Sequence, residues 1–435
     1  MEWWIALVVL LTALMVALFL GIPVVFSFWI VILAGFVLFM GLAGLPALIT
    51  SLRSSMAVFT LTPVPLFILM GEVLFRSGIA SRMLNVMEMW LARLPGRLSL
   101  VTVAAATLFA ALSGSSLGTT AMLGTMLEPD MRKRGYHPTM ICGPIMAGGS
   151  LATIIPPSVL IIILGSLGEI SVGKLLIAGF IPGLMRSVFF AGYIIYTCAR
   201  NPSLAPLAEV AALPLSQKLR ETATSLVPAA VIIFLVLGTI FLGVATPTEA
   251  ASLGAFGSFI LAAVYKRLGW KVIKESIMGC VRITTLSLLI ATGSIGFSQL
   301  LGYTGATMGI MELATGLPVA PIFIVSATLV VLLIMGCFVD QISMLMIGVP
   351  IFIPVITALG FDPIWYGILF ILAITIGYIT PPFGMLFFVI KGVVSADITM
   401  GTIYRSGFPY VVLEIIGMIL VVVFPILAIW LPGFM

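Results

Sequence analysis

Residues 150–161 read SLATIIPPSVLI, and this stretch decides how the chain folds, because two adjacent prolines interrupt an apolar segment. Each proline removes an amide donor and clashes with the preceding helical turn, so we expect the helix to break there. Residues 375–386 read TIGYITPPFGML and repeat the pattern. The two breaks lie near the centres of apolar segments 138–168 and 363–391. Unpaired backbone inside a membrane is tolerated only where protein or a wet cavity covers it, so both breaks are expected in the interior of the fold.

The composition of the whole chain indicates an integral membrane protein. Of its 435 residues, 62% are hydrophobic and 8% are charged, whereas a soluble domain carries roughly 45–50% apolar and about 25% charged residues. The apolar runs are about 18–25 residues long, as a helix needs to cross a hydrocarbon core of roughly 30 Å. A soluble enzyme and a nucleic-acid-binding protein are therefore excluded, and the net charge of +5 is assigned to basic cytoplasmic loops.

The apolar segments predict an all-α polytopic membrane protein. Two of them, 98–133 and 320–358, are too long for one span and carry a polar, glycine-containing interruption, which predicts re-entrant hairpins. Together with segments 138–168 and 363–391 they form two hairpins and two broken helices. The remaining predicted spans are 3–20, 24–46, 57–75, 176–199, 225–243, 247–265, 283–301 and 408–432.

The two halves of the chain match one another at a nearly constant spacing. The matched pairs are Pro129 with Pro354, Ser115 with Asp340 and Pro156 with Pro381, each 225 residues apart (354 − 129), and Glu169 with Asp397, 228 residues apart (397 − 169). Several matches in the same order predict a tandem repeat. We place the first repeat at 1–200, a cytoplasmic connector at 201–221 and the second repeat at 222–435.

The two repeats are predicted to have opposite orientations in the membrane. Each half contains five crossings when its hairpin is re-entrant, and an odd number inverts the second half, as in many secondary transporters. This threading gives about ten transmembrane helices plus two re-entrant hairpins, and it places seventeen Lys and Arg residues on one face against two on the other. Basic loops face the cytoplasm, so both termini are expected on the opposite, periplasmic side.

The hairpin tips and the proline breaks are predicted to meet near the membrane midplane and to bind ions. Helix ends free carbonyl oxygens there, and hydroxyl groups come from Ser113, Ser115, Ser116, Thr153 and Thr380. Oxygen ligands without a carboxylate suit Na⁺, which half-helix C-termini commonly coordinate in such transporters, while half-helix N-termini present amides to an anionic substrate. The alternative is that Ser and Gly at these positions only allow close helix packing.

Three charged residues in or beside apolar segments have open interpretations. Asp340, at the second hairpin tip, is either a functional carboxylate at membrane depth or a cap on its own hairpin. Glu249 is predicted to form a capping box with Thr246, with a direct role as the alternative. Arg186 either extends to the membrane surface or faces a partner protein, and the sequence does not decide between these.

The sequence contains no motif of an enzyme or of an ATP-binding site. HExxH and P-loop patterns are absent, and residues 114–118 (GSSLG), which match GxSxG, form a Ser-Gly tip without a basic partner. The predicted activity is therefore transport driven by an ion gradient, with Na⁺ as the coupling ion and no other cofactor.

At these residues the chain resembles the large membrane (permease) subunit of tripartite ATP-independent periplasmic (TRAP) transporters, within the wider ion-transporter superfamily. The resemblance covers essentially the whole length. Its motifs are Ser113-Gly114-Ser115-Ser116, Pro129-x5-Gly135-Tyr136, Gly148-Gly149-x5-Ile155-Pro156-Pro157-Ser158, Ala245-Thr246-Pro247-Thr248-Glu249-Ala250-Ala251, Gly336-x3-Asp340, Pro350-x3-Pro354 and Thr380-Pro381-Pro382-x-Gly384. It implies Na⁺-driven uptake of a C4-dicarboxylate, sialic acid or other sugar acid, by an elevator-type movement of the hairpins and broken helices past a fixed scaffold.

The resemblance also implies partners and a location. A periplasmic substrate-binding protein delivers the small anionic carboxylate, and a small four-helix membrane subunit braces the large one. No small-subunit segment is fused at the N-terminus of this sequence, so we expect that subunit to be a separate chain. The implied location is the cytoplasmic (inner) membrane of a bacterium or archaeon, in contact with membrane lipid.

Carried onto matching positions, the resemblance implies two Na⁺ sites that are built mostly from backbone carbonyls. The first falls at Ser113, Ser116, Ala152, Ile155 and Pro157, and the second falls at Gly336, Gly377, Thr380 and Phe383. Ala152 stands where the family often has Gly. The alternative function is a self-sufficient Na⁺/dicarboxylate symporter of the same superfamily, working without a binding protein.

Overall fold

The computed structural model describes residues 2–46, 48–50, 61–206, 214–381 and 384–435, except for the side chains of residues 111–113 and 290. All regular secondary structure in the described residues is helical. Five predictions fall wholly or partly outside the described residues: the start of the span 57–75, the middle of the connector 201–221, Pro382 of the second proline pair, the site residue Phe383 and the Ser113 hydroxyl.

The chain order of the helices sets out the hairpins and broken helices. The first half contains α1 (Trp3–Phe19), α2 (Val24–Met40), α3 (Pro63–Arg76), α4 (Ile79–Leu91), α5 (Arg97–Ser113), α6 (Ser116–Lys133), α7 (Pro138–Leu151), α8 (Val159–Leu167), α9 (Val172–Ala178) and α10 (Phe180–Arg200). The second half contains α11 (Leu215–Glu221), a π-helical turn (Thr222–Leu226), α12 (Val227–Phe241), α13 (Pro247–Val264), α14 (Trp270–Tyr303), α15 (Ala306–Gly316), α16 (Pro321–Gly336), α17 (Gln341–Ala358), α18 (Pro363–Tyr378), α19 (Met385–Val393), α20 (Met400–Val423) and α21 (Ile426–Ile429).

Helices α5 and α6 form hairpin 1, and α16 and α17 form hairpin 2. Their turns lie at the glycine-containing interruptions that the sequence predicts, at residues 114–115 and 337–340. Helices α7 and α8 are the two parts of the first broken helix, and α18 and α19 are those of the second. Residues 152–158 and 379–384 separate these parts and include the two proline pairs, which cannot continue a helix.

The hairpins and broken helices form one packed bundle with α10 and α20. Helices α5 and α6 pack on α7, and α16 and α17 pack on α18, while α10 and α20 pack on each other and on α7. Every residue of α18 from Trp365 to Tyr378 is buried. A helix that is apolar and buried all round belongs at the centre of a fold. We call α5–α8, α10 and α16–α20 the central bundle.

The other long helices pack around this bundle. Helix α3 lies against α13 and α14, and α2 lies against α14. A second apolar core, formed by residues of α1, α2, α14, α15 and α17, includes Phe28, Phe297 and Met346, all fully buried. Much of α12 and α13 presents large apolar side chains outward, such as Phe234 and Phe256. Exposed apolar helix faces on this scale are typical of surfaces that face lipid or another membrane subunit.

Length and composition identify six helices of the described chain that are able to cross a membrane, or seven if α3 and α4, bent by 69°, count as one span. The sequence predicts about ten. Five further apolar helices, α1, α2, α5, α16 and α18, have 16 or 17 residues. At about 1.5 Å per residue, such helices reach roughly 24–26 Å, slightly less than the hydrocarbon core. The full count of ten remains a prediction.

Several predicted span limits are wrong. Residues 270–282 are not a loop, because α14 runs from Trp270 to Tyr303 as a single helix of 34 residues. The segment between Arg76 and Arg97 contains α4, and residues 306–316 contain α15, neither of which was predicted. The last span begins at Met400, after its cap Thr399, and ends before Pro425. Hydropathy detects only the apolar part of a helix, whereas its ends depend on caps and prolines.

Candidate ion and substrate site

The tip of hairpin 1 lies against the first proline break. Gly114 ends α5 with a φ of +56°, a left-handed conformation that suits glycine. A Cβ atom added to it would lie 3.2 Å from the Pro157 carbonyl oxygen and 3.4 Å from the Val159 amide nitrogen. Ser115 then caps α6 by accepting a hydrogen bond of 3.3 Å from the Gly118 amide. The predicted proximity of this tip to Pro157 is therefore present in the fold.

Ser116 has a buried hydroxyl oxygen with no hydrogen-bond partner among the described residues. Its carbonyl oxygen accepts a hydrogen bond from Thr120 Oγ1 at 2.8 Å. A Cβ atom added to Gly149, on α7, would lie 3.2 Å from the same carbonyl. An unsatisfied buried hydroxyl costs roughly 1–3 kcal/mol. The Ser116 hydroxyl is therefore available to coordinate a cation between hairpin 1 and the end of α7.

The first break adds unbonded carbonyl groups to the same region. Ala152 is fully buried and Ile155 nearly so. The carbonyl oxygens of Ala152, Ile155 and Pro157 accept no backbone hydrogen bond from the residues that the structure describes. Buried carbonyls normally find a partner. These three oxygens and the Ser116 hydroxyl are the ligand type that a dehydrated Na⁺ needs.

The tip of hairpin 2 packs directly on α18. Gly336, the last residue of α16, faces Gly377 so closely that a Cβ atom on Gly336 would lie 2.7 Å from the Gly377 Cα. A Cβ atom on Gly377 would lie 2.6 Å from the Gly336 Cα. Both glycines are thus needed for this backbone contact. Two of the four residues predicted for the second Na⁺ site are brought together, and Phe383 lies outside the described residues.

Thr380 lies just after α18, next to the second proline pair. Its hydroxyl donates to the Ile376 carbonyl at 2.6 Å, and its amide donates to the Gly377 carbonyl at 3.0 Å. A hydroxyl has one proton and two lone pairs. Because the proton is used by Ile376, the lone pairs of the Thr380 oxygen remain for a cation.

A threonine pair joins the two broken helices. Thr153 Oγ1 lies 2.8 Å from Thr375 Oγ1, and both residues are fully buried. Thr153 donates its single hydroxyl proton to the Ser150 carbonyl at 2.6 Å. The Thr375 hydroxyl proton then has two acceptors within reach, Thr153 Oγ1 and the Ile371 carbonyl at 2.6 Å. Thr153 therefore lies in the interior, as predicted, but its hydroxyl is engaged in a protein contact.

Asp340 and Glu249 are both helix caps. Asp340 accepts hydrogen bonds from the amides of Ile342 (3.0 Å) and Ser343 (3.2 Å) at the start of α17. Glu249 accepts from the Thr246 amide at 2.7 Å, while Thr246 accepts from the Glu249 amide at 3.3 Å, which forms the predicted capping box. Helix capping therefore explains both carboxylates, for each of which the sequence left a second role open.

Arg186 neither reaches the membrane surface nor faces a partner. Its side chain is fully buried and forms an ion pair with Glu414 of α20, which is also fully buried. Ser150 Oγ, at the end of α7, lies 2.5 Å from its acceptor Glu414 Oε1 and accepts from Arg186 Nη2 at 3.1 Å. The Ala147 carbonyl, 2.7 Å away, is a second acceptor for the same hydroxyl proton. Sequence reasoning missed Glu414. It is the only carboxylate in α20, and it lies 228 residues after Arg186, the repeat spacing of Glu169 and Asp397.

A second group of polar contacts, also missed, ties hairpin 1 to the connection between α19 and α20. Buried Glu128 accepts from the Ser395 amide (3.3 Å) and hydroxyl (2.7 Å). Arg132 donates to both carboxylate oxygens of Asp397, at 2.7 and 3.1 Å. These hydrogen bonds hold the pKa of the Asp397 carboxyl below its usual range. The end of α6 and residues 394–399 therefore belong to one unit.

A cavity of about 830 Å³ lies beside the bundle, away from the tips and breaks. It lies between the connection of α8 to α9, the start of α13 and the middle of α14. Its polar lining includes Ser166, Glu169, Thr246, Ser294 and Gln299. The cavity is large enough for a small organic ligand.

Hairpin tips that pack on two broken helices inside an apolar bundle, with carbonyl and hydroxyl oxygens at the breaks, define a polytopic membrane transporter. Comparison with known protein families identifies the family of the chain. Residues 11–427 match the family described as "Tripartite ATP-independent periplasmic transporter, DctM component". The chain belongs to this family, as a large permease subunit, and the resemblance stated from the motifs is confirmed.

Individual relatives are similar to the chain over most of its length. It is 30% identical to the C4-dicarboxylate TRAP transporter large permease protein DctM of Pseudomonas aeruginosa, over 87% of each sequence. It is 30% identical to the sialic acid TRAP transporter large permease protein SiaM of Vibrio cholerae, over 95% of this chain and 96% of the relative. Among solved structures, the YdaH transporter of Alcanivorax borkumensis shares the fold with a TM-score of 0.61, at 17% identity and 90% coverage of both chains.

Proposed function

We propose that this chain carries out Na⁺-driven secondary active uptake of a small carboxylate. The contact of hairpin 1 with the first proline break carries the proposal. It places Gly114 of the hairpin tip against the Pro157 carbonyl, and the next turn of the hairpin holds the buried Ser116 hydroxyl, which has no partner among the described residues. Gly336, Gly377 and Thr380 form the corresponding second site.

An anionic substrate fits the opposite helix ends. Helix α19 begins at Met385, and its N-cap residue Gly384 offers no side-chain hydrogen bond to the first amides. Its first amides carry the positive end of the helix dipole and are suited to a carboxylate. The substrate classes follow the relatives, so a C4-dicarboxylate and sialic acid are the first candidates, with other sugar acids next.

Transport requires access from both sides of the membrane. In our proposal the two repeats are inverted, and the central bundle moves past α2, α3, α13 and α14 as an elevator. The threading places the connection of α8 to α9 and the start of α13 on the periplasmic side, together with the cavity between them. This cavity is then the outer vestibule, and both termini lie in the periplasm.

The partners in this proposal are those of a tripartite system. A periplasmic substrate-binding protein releases the carboxylate into the outer vestibule, and a small four-helix membrane subunit covers part of the exposed apolar surface. The complex resides in the inner membrane of a bacterium or archaeon. Na⁺ is the coupling ion, and the proposal needs no other cofactor.

Reconstitution tests this function. The chain is placed in proteoliposomes with an inward Na⁺ gradient, alone, with the small subunit, and with the small subunit plus binding protein. Labelled succinate and N-acetylneuraminate serve as probes. We expect uptake of one probe only in the complete system, with negligible uptake by the chain alone.

Robust uptake by the isolated chain would favour the self-sufficient symporter instead. A matched control omits the substrate-loaded binding protein and supplies the same total concentration of free acid. Equal uptake in that control would show that delivery by the binding protein is not needed, and would contradict the tripartite mechanism.

A further inference from the structure

The pair of Arg186 and Glu414 is the most deeply buried ion pair among the described residues, with no exposed surface on either side chain. Removing two charged side chains from water costs free energy, and charged side chains inside a membrane-spanning bundle are rare and often functional. The pair joins α10 to α20, the last long helices of the two predicted repeats. The proposed transport mechanism has no role for it so far.

The arrangement of the pair follows the internal repeat. Arg186 and Glu414 are 228 residues apart, the spacing that also relates Glu169 to Asp397. The two charges therefore occupy corresponding positions of the two halves and meet where α10 and α20 pack together. A Cβ atom added to Gly417, on α20, would lie 3.5 Å from Arg186 Cγ, an ordinary van der Waals distance, so Gly417 lies beside the Arg186 side chain.

A chain of hydrogen bonds leads from the pair into the first proline break. Ser150 Oγ donates to Glu414, and the Ser150 carbonyl accepts from Thr153 Oγ1 at 2.6 Å. The Thr153 carbonyl in turn accepts from Ser158 Oγ at 2.5 Å, and Ser158 caps α8. Ser150 lies just before the break, Thr153 lies near its start and Ser158 lies at its end, so these contacts hold the break at three points. The free carbonyls of Ala152, Ile155 and Pro157 lie between the anchors.

We propose that Arg186 and Glu414 are positioning residues for the first Na⁺ site, acting through Ser150 on the conformation of residues 152–158. The inference rests on the proposed function, since it assumes that the break binds Na⁺. Neither charge contacts the ion. Their role is to fix Ser150, and thereby the direction of the carbonyl groups that follow it.

Na⁺-dependent thermal unfolding of the full-length purified chain in detergent tests the proposal without a substrate or a partner. NaCl replaces choline chloride at constant ionic strength, and the rise in the unfolding temperature reports Na⁺ binding to the folded state. Ser150→Ala removes the side-chain hydrogen bond between residue 150 and Glu414 and leaves both members of the ion pair in place. We expect it to raise the half-saturating Na⁺ concentration about fivefold or more, as for loss of a hydrogen bond to a charged group. Ser406→Ala removes a buried hydroxyl of α20 and should leave Na⁺ binding unchanged.

Exchange of the charges gives a second variant. Glu414→Gln should weaken Na⁺ binding at least as much as Ser150→Ala, and Arg186→Glu combined with Glu414→Arg should recover part of the loss, because the positions correspond. Where a charge variant fails to fold, Ser150→Ala alone decides.

Two results would overturn the inference in distinguishable ways. If Ser150→Ala lowers the unfolding temperature equally in both salts without a change in half-saturation, the link is structural and the proposed function stands. If the unchanged protein shows no Na⁺-dependent rise, the proposed Na⁺ coupling fails, and the inference fails with it.

Discussion

At the scale of single residues, two hydroxyl groups carry the proposed ion chemistry. Ser116 offers an oxygen without a partner among the described residues, and Thr380 offers lone pairs after its proton is donated to Ile376. The two hydroxyls differ in the hydrogen bonds that they make to the protein. Loss of the Ser116 hydroxyl removes no hydrogen bond, whereas loss of the Thr380 hydroxyl removes one from the end of α18.

Thr380→Val keeps the shape of the side chain and deletes one oxygen ligand. Loss of a ligand that water does not replace should cost about 1–3 kcal/mol, or roughly 5- to 150-fold in Na⁺ affinity. The Na⁺ concentration for half-maximal uptake should rise accordingly. Thr357→Val is the control, because Thr357 makes the same type of bond, to the Ile353 carbonyl at 2.9 Å, on the exposed side of α17. An unchanged Na⁺ dependence with reduced expression would mean that the Thr380 hydroxyl is structural.

Ser116→Ala should separate ion binding from stability. Because the hydroxyl is buried and makes no hydrogen bond to the described residues, its removal should not lower the unfolding temperature in choline chloride, and relief of the burial cost should raise the free energy of unfolding by up to about 1–3 kcal/mol. The Na⁺ requirement for uptake should rise about tenfold. Ser326→Ala, on the exposed face of α16, provides the control. A normal Na⁺ requirement in Ser116→Ala would remove this residue from the first site.

Residue chemistry could be predicted only where its signal is local. Asp340 lies just before an apolar helix, and Glu249 lies in the first turn of another. A few neighbouring residues are therefore enough to predict that each caps its helix. Glu414 has no such signal, because its partner lies 228 residues away. The repeat spacing was the available clue, since it relates Glu414 to Arg186. Applying the 228-residue spacing of Glu169 and Asp397 to Arg186 as well leads directly to Glu414.

At the scale of helices, the two hairpins and two broken helices depend on backbone features. Gly114 ends α5, Asp340 starts α17, and the proline pairs interrupt both broken helices. Proline and glycine act on their own turn of backbone, so these breaks could be located from the sequence. The start of α14 at Trp270 could not, because its first three turns carry charges that hydropathy assigns to a loop. Arg76 of α3 contacts Glu275 there, a tertiary ion pair at 3.1 Å.

Gly336→Ala tests the contact between hairpin 2 and α18. The added methyl group would meet the Gly377 backbone at 2.7 Å, so the two elements must separate. We expect a loss of about 1–3 kcal/mol in stability, as for other overpacked positions, and loss of most Na⁺-dependent uptake. Gly302→Ala is the matched control, because a Cβ atom there has nothing within 4 Å. Full uptake by Gly336→Ala would contradict a site formed between these glycines.

At the scale of the whole molecule, the proposal combines an inverted repeat with a moving central bundle. The order of hairpin and broken helix recurs in both halves, at residues 97–167 and 321–393. The two sets pack into one bundle through α10, α20 and the Thr153–Thr375 contact. In the proposal, this body moves past the surrounding helices as a unit, as an elevator mechanism requires.

The topology makes a direct prediction about sidedness. In a background without the four native cysteines, Arg267→Cys should react with a membrane-impermeant maleimide only from the cytoplasm. Lys174→Cys should react only from the periplasm, because basic loops concentrate on the cytoplasmic side. Arg267 is exposed and Lys174 is half-buried, so both are accessible in the folded protein. Labelling of the two positions from the same side would contradict the inverted repeat.

The most direct test of the central claim is uphill accumulation in proteoliposomes that contain the chain, its small membrane subunit and a substrate-loaded binding protein. Labelled carboxylate is present at equal concentrations inside and outside, the membrane potential is clamped at zero, and an inward Na⁺ gradient is imposed. The account predicts net accumulation of the carboxylate inside, and no accumulation when choline replaces Na⁺. Equal carboxylate movement in Na⁺ and choline would contradict it.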